Sequence, residues 1–228
     1  MFASSETLFS QDIQPELSIP RIDSVENPEL GPTAEQWSRV SAYTRFFYPW
    51  EKEAAPPTSL KMCWDGAKIY FEFSAVDAEP IAFGAFDNKM DVCASDRVEI
   101  FLDSSDKMDR YYGLEMDPSG RVLDYQGRFY RNSNYQYSFP ALKSTARRTP
   151  DGYCVSGSLD VETLNQLGLI HQNRFLRAGF FRADFYRTVD QAATDKPAIE
   201  KWISWKHTGT KEADFHVPGA LGWVELAR

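Results

Sequence analysis

Asp96-Arg97-Val98-Glu99-Ile100-Phe101-Leu102-Asp103 alternates residue by residue, with Val98, Ile100 and Leu102 pointing one way and Arg97, Glu99, Phe101 and Asp103 the other. A period of two is the signature of a β-strand. The same pattern spreads outward in both directions. Upstream, 60–64 is followed by Asp65-Gly66, a strong hairpin signal, and then Ile69, Phe71, Phe73 and Ala75 alternate with Lys68, Tyr70, Glu72 and Ser74. Downstream, 111–116 and 122–129 flank the turn Asp117-Pro118-Ser119-Gly120, and 142–148 and 153–159 flank Pro150-Asp151-Gly152. A long run at 176–187 and two short ones at 202–205 and 221–226 complete the set. One segment reads as a helix: Asp160 is a suitable N-cap for 161–167, which stops at Gly168. Strands at this spacing, joined by turns, predict an all-β, two-sheet antiparallel β-sandwich with one short helix. Residues 1–36, broken by Pro15, Pro20, Pro28, Gly31 and Pro32, read as an extended lead-in packed on the domain, with one short strand near 19–22. The sandwich proper is expected over 37–228.

Composition narrows the partners. A net charge of −8 disfavours nucleic acid, whose phosphates need clustered Lys and Arg. It equally disfavours an anionic membrane surface, and no apolar run is long enough to span a bilayer. Aromatic residues, at 14%, suit both strands and the apolar faces of sugars. The N-terminal residues show no basic-then-apolar leader. Cys63, Cys93 and Cys154 cannot all pair within one chain and match no zinc spacing. They read either as small packed thiols or as one disulfide with a thiol left over.

Enzymatic signatures are missing. There is no phosphate-binding glycine loop, no H-E-x-x-H and no G-x-S-x-G, and the three histidines are scattered. Paired carboxylates remain, because glycoside hydrolysis uses two. Glu99 and Asp103 share a strand face, but four residues at about 3.3 Å each set them about 13 Å apart. That exceeds the roughly 5–9.5 Å that glycosidases use.

The octet at 96–103 resembles the central strand motif D-x-V-E-I-F-[LI]-D of the family 9 carbohydrate-binding modules. Other pieces follow in that family's order. Trp64-Asp65-Gly66-Ala67-Lys68-Ile69-Tyr70-Phe71 resembles its upstream hairpin, and Tyr111-Tyr112 with Glu115-Met116-Asp117-Pro118-Ser119-Gly120 its next one. Ile203-Ser204-Trp205, Phe215-His216-Val217-Pro218 and Leu221-Gly222-Trp223-Val224 resemble its C-terminal signature. The resemblance implies a sandwich containing calcium that holds a sugar between two tryptophans, with charged groups on the hydroxyls. By its motif, Glu99 matches the hydroxyl acceptor. One platform tryptophan falls on Cys93, the other on Phe215, and an arginine of the family falls on Gly113.

The expected function is therefore non-catalytic binding of an oligo- or polysaccharide at an aromatic-lined site. The candidate residues are Glu99, Arg182, Phe215, Trp205 and Tyr112, with Phe86 as a further possible platform. Asp96, at the start of its strand, is a candidate calcium ligand or a turn cap. Two other readings stand beside this one. The first is an interaction sandwich that has lost its sugar site. The second is a haem-binding relative of the DOMON type using Met90 and His216. An extracellular or periplasmic location is the expectation that goes with glycan binding.

Overall fold

The computed structural model describes residues 13–84, 87–187 and 199–228 of the 228-residue chain. In chain order the elements are β1 (Leu17–Ile19), α1 (Ala34–Ser38), β2 (Thr58–Trp64), β3 (Lys68–Val76), β4 (Arg97–Asp103), β5 (Tyr111–Met116), β6 (Val122–Arg128), β7 (Asn132–Asn134), β8 (Leu142–Thr149), β9 (Gly152–Asp160), α2 (Val161–Gln166), β10 (Ile170–His171), β11 (Phe175–Tyr186), β12 (Ile199–Ser204) and β13 (Gly222–Leu226). Short 3-10 helices lie at Lys89–Ala94 and Pro218–Ala220.

The strands form two sheets. The larger has nine strands in the order β1-β13-β11-β4-β5-β6-β7, with β10 and β12 also paired to β11, and the smaller runs β2-β3-β9-β8. The pairings are antiparallel except β1 with β13. This is the two-sheet sandwich that the alternation predicts.

The helix at 160–167 also forms, and the Asp160 carboxylate accepts the Thr163 N–H at 2.8 Å. A further helix, α1, stands on a capping box in which Thr33 and Gln36 satisfy each other's backbone N–H groups. Prolines on both sides of Gly31 obscure that signal in the sequence. In the lead-in, the strand lies at Leu17–Ile19, slightly before the expected 19–22, because its partner is the C-terminal β13.

Strands β4 and β11 are central, and their register fixes the faces. Arg182 lies opposite Val98, and Phe181 opposite Glu99. Arg182 reaches Thr58 on β2 and the carbonyl of Val76 on β3, so the Val98-Ile100-Leu102 side faces the smaller sheet. These residues join Phe71, Phe73, Leu114, Val155 and Phe180 in one core. The Arg97-Glu99-Phe101-Asp103 side faces away from it.

That outward side is nevertheless dry. Every residue of β4 and β5 is buried. The chain after β12 folds back over the sheet, and Phe215 stacks on Phe181 with ring centroids 4.1 Å apart and planes 13° off parallel. His216 packs against Phe101 and Tyr125. Beneath this cover Gly113 is needed for space: a Cβ there would sit 2.2 Å from the ring of Tyr125. Gly113 thus makes room for a tyrosine.

Candidate functional site

Glu99 on β4 and Glu115 on β5 are directly opposite each other on the covered face. Like charges in that relation repel, and more strongly without water. The period of two places Arg97 on the same face, and its Nε lies 2.9 Å from Glu99 Oε1 and 2.6 Å from Glu115 Oε2. One N–H cannot serve two acceptors well, and none of the three atoms has an aligned hydrogen bond. The guanidinium is held elsewhere by the carbonyls of Cys93 and Ser95, at 3.1 and 3.3 Å, and it lies over the Trp202 ring. Two carboxylates therefore share one cation. Burial first, and the charge of Glu115 second, push the Glu99 carboxyl up to about 8, against the counter-pull of Arg97.

A cavity of about 70 Å³ adjoins this cluster, bounded by Trp202, Phe215, His216, Asp214 and Arg131. It has room for water but falls far below the roughly 300–1,000 Å³ of ordinary ligand sites. Its roof is latched from outside. Asp214 takes the Arg131 guanidinium at 2.8 Å and the Tyr130 hydroxyl at 2.6 Å, tying the roof to the turn between β6 and β7. Phe129 and Tyr130, each more than half exposed, form an edge-to-face pair on that turn. His216, its Nδ1 2.8 Å from the Tyr111 hydroxyl, is pushed down to about 4 by burial.

Of the residues expected to bind saccharide, the structure brings together only Glu99 and Phe215, beside His216. Arg182 is a correction to the expected cluster: adjacent to Phe181 in a strand, it projects from the other face of the sheet, between the two layers. Tyr112 also faces inward, against Phe139 and Tyr137. Trp205 is 3% exposed and donates its indole N–H to the Ala220 carbonyl. As folded, neither aromatic offers a face to a ligand. Phe86 lies outside the described residues. Met90 is on the exposed turn at Lys89–Ala94, whereas His216 is enclosed by aromatic rings. Cys63 and Cys154 are buried free thiols, and Cys93 is exposed and free.

Arg97, Glu115, Arg131, Tyr130 and Asp214 were not anticipated. Arg97 was legible from its same-face spacing to Glu99. The others come from neighbouring strands and loops, and their approach depends on register.

Asp96 joins a different cluster. Oxygens of Asp77, Asp96 and Asp184 lie within 4.8 Å of one another. Arg182 bonds Asp77 Oδ2 at 3.1 Å and Asp184 Oδ1 at 2.5 Å. Asp96 accepts the backbone N–H groups of Ile81 and Phe185. Burial, then the charge of Asp77, push the Asp96 carboxyl up. Both of its oxygens are nevertheless used as acceptors, which favours the ionised form. Three carboxylates facing one guanidinium leave an excess of negative charge, and the all-oxygen donor set suits calcium. The residues fit such an ion.

Comparison with known proteins agrees with this architecture. The model of the carbohydrate family 9 binding domain-like family matches residues 31–228. A Bacteroides uniformis protein proposed to bind carbohydrate shares 18% identity and a TM-score of 0.67, over 92% of this chain and 98% of its own. A family 9 module from Caldicellulosiruptor kristjanssonii in complex with glucose shares 15% identity and a TM-score of 0.55, over 92% and 95%. Its complex with cellotriose gives 14% and 0.57, over 92% of each chain. Among curated proteins none matches. With agreement running from residue 31 to the last residue, the chain belongs to the carbohydrate family 9 binding domain-like family.

Proposed function

We propose that the chain binds a saccharide without transforming it, at the covered face of the nine-stranded sheet. The observation that carries this reading is the cluster of Arg97, Glu99 and Glu115, buried beneath Phe215 and Trp202 and short of aligned hydrogen bonds. A buried polar group without a good partner is costly, so a ligand hydroxyl that donates to a carboxylate and accepts from the guanidinium would relieve it. Trp202 and Phe215 would supply the apolar contact to a sugar ring. Glucose and cellotriose, held by structurally similar modules, are the first ligands to try.

Binding requires the roof to move, because the cavity is too small for a pyranose. The segment carrying Asp214 and Phe215 would swing away from Arg131, and Tyr130 and Phe129 would stand at the opened rim. The same geometry supports the non-catalytic reading for this pair of carboxylates. Glu99 and Glu115 converge on one nitrogen, leaving no space between them for a scissile bond.

Calcium, held by Asp77, Asp96 and Asp184, would neutralise the excess charge there and stiffen the junction of the two sheets. None of the described helices is long and apolar enough to cross a membrane. An exported protein meeting glycans outside the cytoplasm is the setting that this reading implies.

Isothermal titration of the whole chain with glucose, cellotriose and a panel of neutral oligosaccharides tests the proposal. Saturable heat that Glu99→Gln diminishes is the expected result. Silence across the panel would sink the saccharide reading.

A further inference from the structure

A groove of about 360 Å³ lies on the opposite side of the molecule, over the outer face of β3, β9 and β8. Unlike the cavity beside Glu99, it is within the size range of small-molecule sites. Its floor is built by register. Tyr70, Ser158 and Lys143 form one row across the three strands, and Glu72, Ser156 and Thr145 form the next. Strands lie about 4.8 Å apart, so the Glu72-Ser156-Thr145 row presents polar groups at a spacing close to the advance per residue of an extended glycan. In the other row Tyr70 and Ser158 are buried, and the Tyr70 hydroxyl bonds Asp65. No hydrogen bond among the described residues engages the hydroxyls of Thr145, Ser156 or Ser158.

The wall is the strap at 28–37. Trp37 on α1 lines the groove, and Leu30 is 82% exposed at its lip. Glu29 crosses from the strap to Lys143 at 2.5 Å and to Lys68 at 3.7 Å. Local charges are thereby offset, which disfavours a strongly ionic ligand. The floor is polar while Pro28, Leu30, Pro32 and Trp37 make the wall apolar, which suits a ligand with an apolar face and a polar rim, as a sugar ring has.

We infer that this groove is a second saccharide site, taking a neutral oligosaccharide of two or more rings. One face of the sugar lies along the indole of Trp37, and its hydroxyls meet Thr145, Ser156, Ser158 and Glu72. The inference does not rest on the Glu99 cluster, which faces the other way through both sheets.

Amide chemical shifts of the ¹⁵N-labelled full chain, titrated with cellohexaose, xylohexaose and laminarihexaose in turn, test it. At least one should move the amides of Thr145, Ser156 and Ser158 and the Trp37 indole in a saturable way. Thr145→Arg, at an exposed strand position, fills the groove without touching the core and should weaken that response about tenfold or more. Glu99→Gln should leave it unchanged. Shifts confined to Arg97, Glu99, Glu115 and Trp202 would overturn the second site and leave the first standing. Shifts confined to the groove would support the second site and remove the first. Equal affinity in Thr145→Arg, or no saturable shift in the groove with any of the three glycans, would overturn the inference.

Discussion

Arg97 and Arg182 are both buried, both lie on the two central strands of one sheet, and both face carboxylates, yet their surroundings differ. Arg182 bonds the Thr58 hydroxyl, the Val76 carbonyl, Asp77 and Asp184, and stacks over Tyr153, so it fastens one sheet to the other. Only its Nε lacks a partner. Arg97 has its Nε between two carboxylates and is aligned with neither, and a small cavity adjoins it. Burial does not separate a structural ion pair from a candidate ligand site. Hydrogen-bond satisfaction does, because the low dielectric that strengthens a complete network penalises an incomplete one.

The largest expected effect separates the two arginines by stability. Arg182→Leu leaves Asp77, Asp96 and Asp184 without their guanidinium and should cost about 3–5 kcal/mol, the usual loss when one partner of a buried pair is removed. Urea denaturation reads it directly, and a change under about 1 kcal/mol would show that the clasp is weaker than its contacts suggest. Glu99→Gln should act in the opposite sense. It removes one of two carboxyls crowding Arg97 and should hold or raise stability at neutral pH, because a glutamine takes up no proton on folding. Saccharide affinity should fall up to roughly tenfold, as expected for losing one hydrogen bond of a neutral carboxyl. A variant that unfolds instead would place Glu99 with Arg182 as a structural residue.

Calcium tests the clasp from another side. At a free concentration 100 times the dissociation constant, an ion that binds only the folded chain adds about 2.7 kcal/mol. Thermal unfolding should shift upward with calcium in the native chain and not in Asp184→Asn. Identical shifts in both would remove Asp184 from the ion.

The pH dependence sharpens the Arg97 side. Below 4.5, the ordinary value for glutamate, Glu99 is protonated in both folded and unfolded chains, and its contribution to stability is fully present. Between 4.5 and about 8 the folded chain holds a proton that the unfolded chain has released, so this contribution is lost as pH rises through that window. Glu99→Gln should flatten the decline across that window, and an unchanged slope would assign it to other groups. The smallest effect belongs to the rim. Arg131→Ala breaks a pair in which the arginine is half exposed, while Asp214 keeps Tyr130 and the His216 N–H as partners, and should cost stability only about 1 kcal/mol. If the latch limits entry, saccharide association should quicken in stopped-flow measurements, whereas slower association would make Arg131 a ligand contact.

Much of the fold was legible in advance. The alternation at 97–103 and 69–75 gives strands with their faces, and Asp65-Gly66 and the turn at 117–120 give hairpins, because these signals reside in neighbouring residues. The strands β7 and β10 were not, since three and two residues are too few to show a period. The candidate site was half legible. The period of two places Glu99, and with it Arg97, on one face, and it also requires Arg182 to leave that face beside Phe181.

From the order of residues alone came the class of fold, the sidedness of each strand and the kinship that the octet carries. These depend on local geometry that any chain with this pattern must adopt. Which residues meet Glu99, and whether its face is open, was settled by tertiary structure. Glu115, Trp202 and Asp214 arrive from separate strands and a returning loop, and only the register of β4 with β5 and the fold-back of 206–218 bring them within a few ångströms. Long-range approach of this kind is set by packing of the whole molecule, and no spacing along the chain records it.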